Sequence, residues 1–185
     1  MVTIKGYEIP NEPHELTVKQ FDKINAITAD TELDLIEKWI AKFVYLGVNE
    51  DVFDDMQLAE LEQAVKDWNN QPEHPTEKQP SFELQGYTYE AKPTIGVKDL
   101  GLIEKVMKLN TGEFTAEMLA ILFKRTDLTK KEHYANAHLK QKMKLFRELK
   151  SEIAIPYFLD VLETLTTTAK SMSNDVAKEL EASNS

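Results

Sequence analysis

The sequence predicts a mainly α-helical chain with short β-hairpins, an α+β class, laid out as two related hairpin–helix–helix halves. Three observations predict it. A Gly-Tyr step flanked by alternating apolar residues occurs twice, in Thr3-Ile4-Lys5-Gly6-Tyr7-Glu8-Ile9 and in Glu83-Leu84-Gln85-Gly86-Tyr87-Thr88-Tyr89. Glycine accepts the positive φ of a tight turn, so each stretch reads as a hairpin. Most other apolar residues recur at helical spacing. Between the two hairpins, positions 70–80 hold three prolines and no aliphatic residue, which forbids a helix or a central strand.

That linker divides the chain into an acidic hairpin-plus-helix part at 1–69, the linker at 70–80, a second hairpin-plus-helix part at 81–168 and a flexible polar tail at 169–185. Each hairpin runs on to a Val-Lys-x-apolar helix start, Val18-Lys19-Gln20-Phe21 and Val97-Lys98-Asp99-Leu100. The paired glycines stand 80 positions apart and the paired valines 79. Internal duplication explains this agreement in order and spacing. Chance likeness of two short hairpins is the other explanation.

The helices follow in order. Thr17 and Gln20 have capping-box spacing and open a helix to about Ile27. A second runs from near Thr31 to Leu46 and stops at Gly47, with Leu33, Ile36, Ile40, Phe43 and Val44 on one face. A third carries Leu58, Leu61, Val65 and Trp68 on a stripe. Positions 100–109 are helical. The stretch after Thr115 is apolar nearly all round (Met118, Leu119, Ile121, Leu122, Phe123) and reads as the central buried helix. Thr129 and Glu132 form another capping box, opening the longest helix with the stripe Ala135, Leu139, Met143, Phe146 and Leu149. Ser151 and Pro156 mark a break into a last helix that buries Phe158, Val161, Leu162 and Leu165. Beyond Thr166 the chain turns polar and is expected to fray.

Composition sets the limits. With 42% hydrophobic and 29% charged residues a packed core is expected. No cysteine is present, which excludes disulfides, thiolate metal sites and a cysteine nucleophile. No apolar run reaches the roughly 18 residues of a membrane span, and no signal-peptide pattern follows Met1. The expected location is the cytoplasm, the host's if the protein is viral. Residues 1–79 hold 7 lysines against 17 carboxylates, so the whole net charge of −10 lies there. Such a surface repels nucleic acid and anionic lipid.

Motifs for chemistry are lacking. The six glycines fall in no phosphate-loop or dinucleotide spacing. His133 and His138 stand five apart, roughly 140° round a helix, which does not suit a shared metal; both are placed on the solvent side or rim. The acidic run at 49–55 lacks the ligand pattern of a calcium loop and reads as an Asn49 cap with acidic residues in a first turn. No catalytic residue, cofactor site or metal site is assigned. Seven basic residues (Lys130, Lys131, Lys140, Lys142, Lys144, Arg147, Lys150) face two glutamates along the long helix. Packing near the acidic first half, or a solvated face, explains them at least as well as a nucleic-acid or anionic-lipid surface does, and neither nucleic acid nor a membrane is the expected partner. Candidate partner contacts are Lys140, Lys142 and Lys144 on that helix and Tyr7 and Tyr87 on the hairpins.

Two functional classes remain: a non-enzymatic protein-interaction protein, and a small enzyme or ligand-binding protein whose site is assembled from dispersed residues. The order Phe82-Glu83-Leu84-Gln85-Gly86-Tyr87-Thr88-Tyr89, Thr94-Ile95-Gly96-Val97, Leu119-Ala120-Ile121-Leu122, positions 134–146, then Pro156-Tyr157-Phe158-Leu159 resembles small morphogenesis proteins of tailed bacteriophages. These include tail-assembly chaperones and minor virion components. The resemblance covers mainly residues 81–162. It implies a non-enzymatic role in assembly, with phage structural proteins as partners, oligomerisation open, and no catalytic residues or cofactor.

Overall fold

The computed structural model describes residues 1–10, 15–70, 77–109 and 112–183. It bears out the mainly helical α+β class. Two strands, β1 (Val2–Ile4) and β2 (Tyr7–Ile9), form the first hairpin; β3 (Ser81–Leu84) and β4 (Tyr87–Ala91) form the second. Their turns match. Lys5 and Gly6 have φ of 48° and 92°, and Gln85 and Gly86 have 52° and 77°. Two successive positive φ angles define the primed turn whose twist suits flanking strands. The register matches too, with Ile4 opposite Tyr7 and Leu84 opposite Tyr87.

Beyond the hairpins the halves diverge. The second hairpin gains a third antiparallel strand, β5 (Phe123–Arg125), against β4, whereas the first sheet has two strands. Duplication is therefore not shown. Of the linker, positions 71–76 lie outside the described residues, as do His14 and His74.

Helix α1 (Val18–Ala29) opens on the Thr17–Gln20 box. Helix α2 (Leu35–Tyr45) starts later than the sequence suggested, because Asp34 and Glu37, not Thr31, make its capping box. Asn49 caps a short 3-10 turn at Glu50–Phe53, accepting a hydrogen bond from the Asp51 amide. Helix α3 (Leu58–Asn69) follows. Hairpin, α2 and α3 close round Phe43, which touches Trp39, Phe53 and Trp68 and shares its cluster with Val2, Ile4 and Ile9.

The second cluster surrounds α5 (Phe114–Leu122), which is the buried central helix. Phe123, expected in that helix, instead begins β5, and its ring meets Phe82, Phe146 and Tyr157. Helix α4 (Val97–Leu109) packs against α5. The long basic helix is not continuous. It divides into α6 (Lys130–His133) and α7 (Asn136–Phe146), with an extended Ala135 between them that is exposed and not part of a stripe. Helix α8 (Ser151–Ser183) starts at Ser151 and runs through Pro156 without breaking. Proline that early in a helix removes one hydrogen bond near an end. The backbone stays helical through most of the expected tail, where Ala169, Lys170, Ala177, Lys178, Glu179 and Leu180 are good helix formers.

Helix α1 crosses the expected division. Leu16, just before it, and Ile24 within it belong to the Phe43 cluster, while Val18, with no exposed surface, belongs to the α5 cluster. The Val18 and Lys19 amides donate to the Leu149 and Arg147 carbonyls, and the Ser151 amide donates to Leu16. Phe21 meets Phe158 edge to face at 5.8 Å. The two parts are thus sewn together along α1.

Candidate functional site

A largely buried helix must satisfy the four amides and four carbonyls that its ends leave without intrahelical partners. At the N-terminus of α5 this falls to Asp22 of α1. Its carboxylate accepts from the Thr115 amide at 2.9 Å and the Ala116 amide at 3.3 Å. Burial pushes Asp22 above the usual carboxylate range, against the pull of those donors. At the C-terminus, the Leu119 carbonyl accepts from Phe123 and the Leu122 carbonyl from the Lys92 amide. The Ala120 carbonyl accepts from Lys142 Nζ, and the Ile121 carbonyl lies 3.0 Å from His133 Nε2.

Lys142 also donates to the Phe123 carbonyl at 3.0 Å and lies 2.9 Å from His133 Nδ1. These contacts assign the tautomer: Nε2 carries the proton given to Ile121, and Nδ1 accepts from the lysine. Burial, with Lys142 and Lys92 close by, holds His133 down at about 4. Burial, with Lys92 and Arg125 nearby, brings Lys142 down to about 7. An acid at the N-terminus of α5 and a base at its C-terminus both complement the helix dipole.

The break at Ala135 makes the pair geometrically feasible. On a straight helix, nine residues turn about 900°, which puts His133 and Lys142 on opposite faces. The break turns α6 so that both reach the same end of α5.

Next to this cap lies a recess of about 480 Å³ between the loop at 92–96, the start of α4, and residues Lys124, Lys130, His133 and Tyr134. Its floor is an ion pair with a hydroxyl. Lys92 Nζ is 2.5 Å from Asp99 Oδ1 and 2.9 Å from the Tyr134 hydroxyl, which donates to the same oxygen at 2.7 Å. The Gly96 amide donates to Asp99 Oδ2. Burial works against the charge of Asp99, but these donors hold it below the usual range. Tyr134 is pushed up to about 12 by burial and by Asp99. Lys98 stands over the Tyr134 ring at 3.9 Å.

Helices α2 and α3 flank a separate groove of about 420 Å³ lined by Leu35, Ile36, Trp39, Leu58, Leu61 and Val65. Leu35 is 72% exposed, Leu58 57% and Ile36 46%. Ile36 and Leu58 were expected on buried faces, but the helices present those positions outward.

Of the candidate contacts, Lys140 and Lys144 are exposed, while Lys142 points inward and is 3% exposed, so it cannot meet a partner. Histidine 133 is likewise buried rather than at the rim, and His138 is half-buried. Tyr7 and Tyr87 are exposed on separate sheets, Tyr87 beneath the Arg125 guanidinium at 4.1 Å. The sequence reading missed Asp22, Lys92, Asp99 and Tyr134. Among the described residues no group of three or more His, Asp or Glu could hold a metal ion, and no helix is long and apolar enough to cross a membrane. No protein-family model, curated protein or solved structure matches the chain.

Proposed function

We propose that this chain is a non-enzymatic protein-interaction protein, an assembly factor of the tail-assembly-chaperone kind or a minor virion component of a tailed phage. It holds a partner in the groove between α2 and α3. The exposure of Leu35, Ile36 and Leu58 beside Trp39 carries this reading. A contiguous apolar channel of this kind suits the apolar face of an amphipathic helix or strand. The mixed charges of Glu62 and Lys66, which also line the channel, suit a polar rim. The resemblance along residues 81–162 supplies the phage setting. The buried ionisable groups Asp22, His133 and Lys142 are used in capping α5, which also suits a protein without chemistry of its own.

The test is affinity capture of tagged wild type and of a Leu35→Ser/Leu58→Ser variant from native or infected cells, read by mass spectrometry. Wild type should recover one or two structural proteins in near-stoichiometric amounts, and the variant should lose them while keeping its helix content. Equal recovery by both proteins removes the groove from the reading. No recovery by either removes the interaction function.

A further inference from the structure

The recess beside α4 has an electrostatic character at odds with a chain of net charge −10. Four lysines line it, Lys92, Lys98, Lys124 and Lys130, against the single carboxylate Asp99. Asp99 is already matched by Lys92 and by the donors on both its oxygens. Among the described residues Lys98, Lys124 and Lys130 form no ion pair. Glu90 stands opposite Lys124 across the β4–β5 ladder, but three ammonium groups round one concavity still repel each other, and a bound anion relieves that repulsion.

The backbone adds to the same field. β4 leads through the loop at 92–96 into the first turn of α4, and Gly96 and Val97 line the recess. The start of a helix of 13 residues brings the positive end of its dipole here, with the Gly96 amide already donating to Asp99 Oδ2. A strand, a glycine-bearing turn and a helix start provide the elements that suit a phosphate, and here the lysines stand round them. Lys98 is held by the Tyr134 ring beneath it, so part of its ordering cost is met before any ligand arrives.

We propose that this recess binds a phosphate group, free or carried as a monoester on a small molecule, on Lys98, Lys124 and Lys130 at the N-terminus of α4. The recess is closed below by the Lys92–Asp99–Tyr134 floor, and its lysines stand round that one floor. The site is independent of the α2–α3 groove, so either can fail without the other.

The experiment titrates the full chain with inorganic phosphate and separately with a sugar monophosphate, at constant ionic strength against sodium chloride, following the Gly96, Val97 and Lys98 amide signals by NMR. Both anions should give saturable shifts at millimolar concentration or below. Tighter binding of the monoester identifies a carried phosphate; equal or weaker binding identifies the free ion. A Lys98→Gln/Lys124→Gln/Lys130→Gln variant, altered only at exposed or half-buried positions, should keep its melting temperature and bind about tenfold more weakly or worse. A Lys140→Gln/Lys144→Gln control should bind like wild type. Shifts no larger than chloride produces, or undiminished binding by the triple variant, overturn the proposal. Saturation by a polyglutamate peptide with no response to either phosphate also overturns it, and marks the recess as a protein contact.

Discussion

The Nζ of Lys142 lies 2.9 Å from the Nδ1 of His133, and the pair closes the C-terminus of a helix to which neither belongs. Removing the ammonium leaves two carbonyls and a ring nitrogen without a donor inside the protein. Lys142→Met should therefore lower the unfolding free energy by about 3 kcal/mol. Lys140→Glu with Lys144→Glu, at exposed positions, should change it by no more than about 0.5 kcal/mol each. Urea denaturation measures both; equal stability of Lys142→Met and wild type would show that the cap contributes nothing.

Stability should depend on pH through His133. Its value is about 4 when folded and 6.5 when unfolded, so the native state favours the neutral ring. The contribution is fully present above pH 6.5 and is lost as pH falls through 4. Over that window the loss approaches about 3 kcal/mol. Glutamine can donate to Ile121 and accept from Lys142 without titrating. His133→Gln should thus show a flatter stability curve than wild type between pH 7 and 4, and parallel curves would refute the assignment.

At the other end of α5, Asp22→Ala should cost about 2 kcal/mol, while Asp22→Asn keeps an acceptor and should cost less. The local signature is hydrogen exchange at the Thr115 and Ala116 amides, which should accelerate in the alanine variant. Unchanged protection there would mean that the amides find other partners.

Both tryptophans, Trp39 and Trp68, sit in the Phe43 cluster, so their fluorescence reports on one core alone. Leu119 has no exposed surface in the other core, and a carboxylate there costs several kcal/mol. Because α1 contributes to both cores, Leu119→Asp should abolish native tryptophan emission together with the helix signal. Retained emission with α5 unprotected would show that the cores fold independently.

The hairpin glycines have positive φ and no atom within 4 Å of an added Cβ, so substitution meets backbone strain alone. Gly6→Ala and Gly86→Ala should each cost about 1 kcal/mol. A thermal melt of either variant indistinguishable from wild type would contradict the turn geometry.

These turns were legible because Gly-Tyr between alternating apolar residues has few other readings, and α5 because its apolar residues leave no polar face. The capping residues were harder to see. Asp22 lies four residues after Val18, and Lys142 three after Leu139 and four before Phe146, so each charge sits on an apolar stripe. That is a signal of a buried charge, but it does not name the partner, which for Asp22 is 93 residues away. The groove was misread for the converse reason. Ile36 and Leu58 have the spacing of a core face, and periodicity cannot say whether another element arrives to cover it.

The reach of Asp22 also orders events during synthesis. The Phe43 cluster is complete in the chain once Trp68 has been made, yet α1 must hold its second face open until α5 and residues 147–151 leave the ribosome. At about 5–20 residues per second, the 93 positions between Asp22 and Thr115 amount to a delay on the order of 5–20 s. During that interval Val18, Phe21 and Asp22 are exposed on a nascent chain, and this uncovered face of α1 is the part at risk from early proteolysis or premature association.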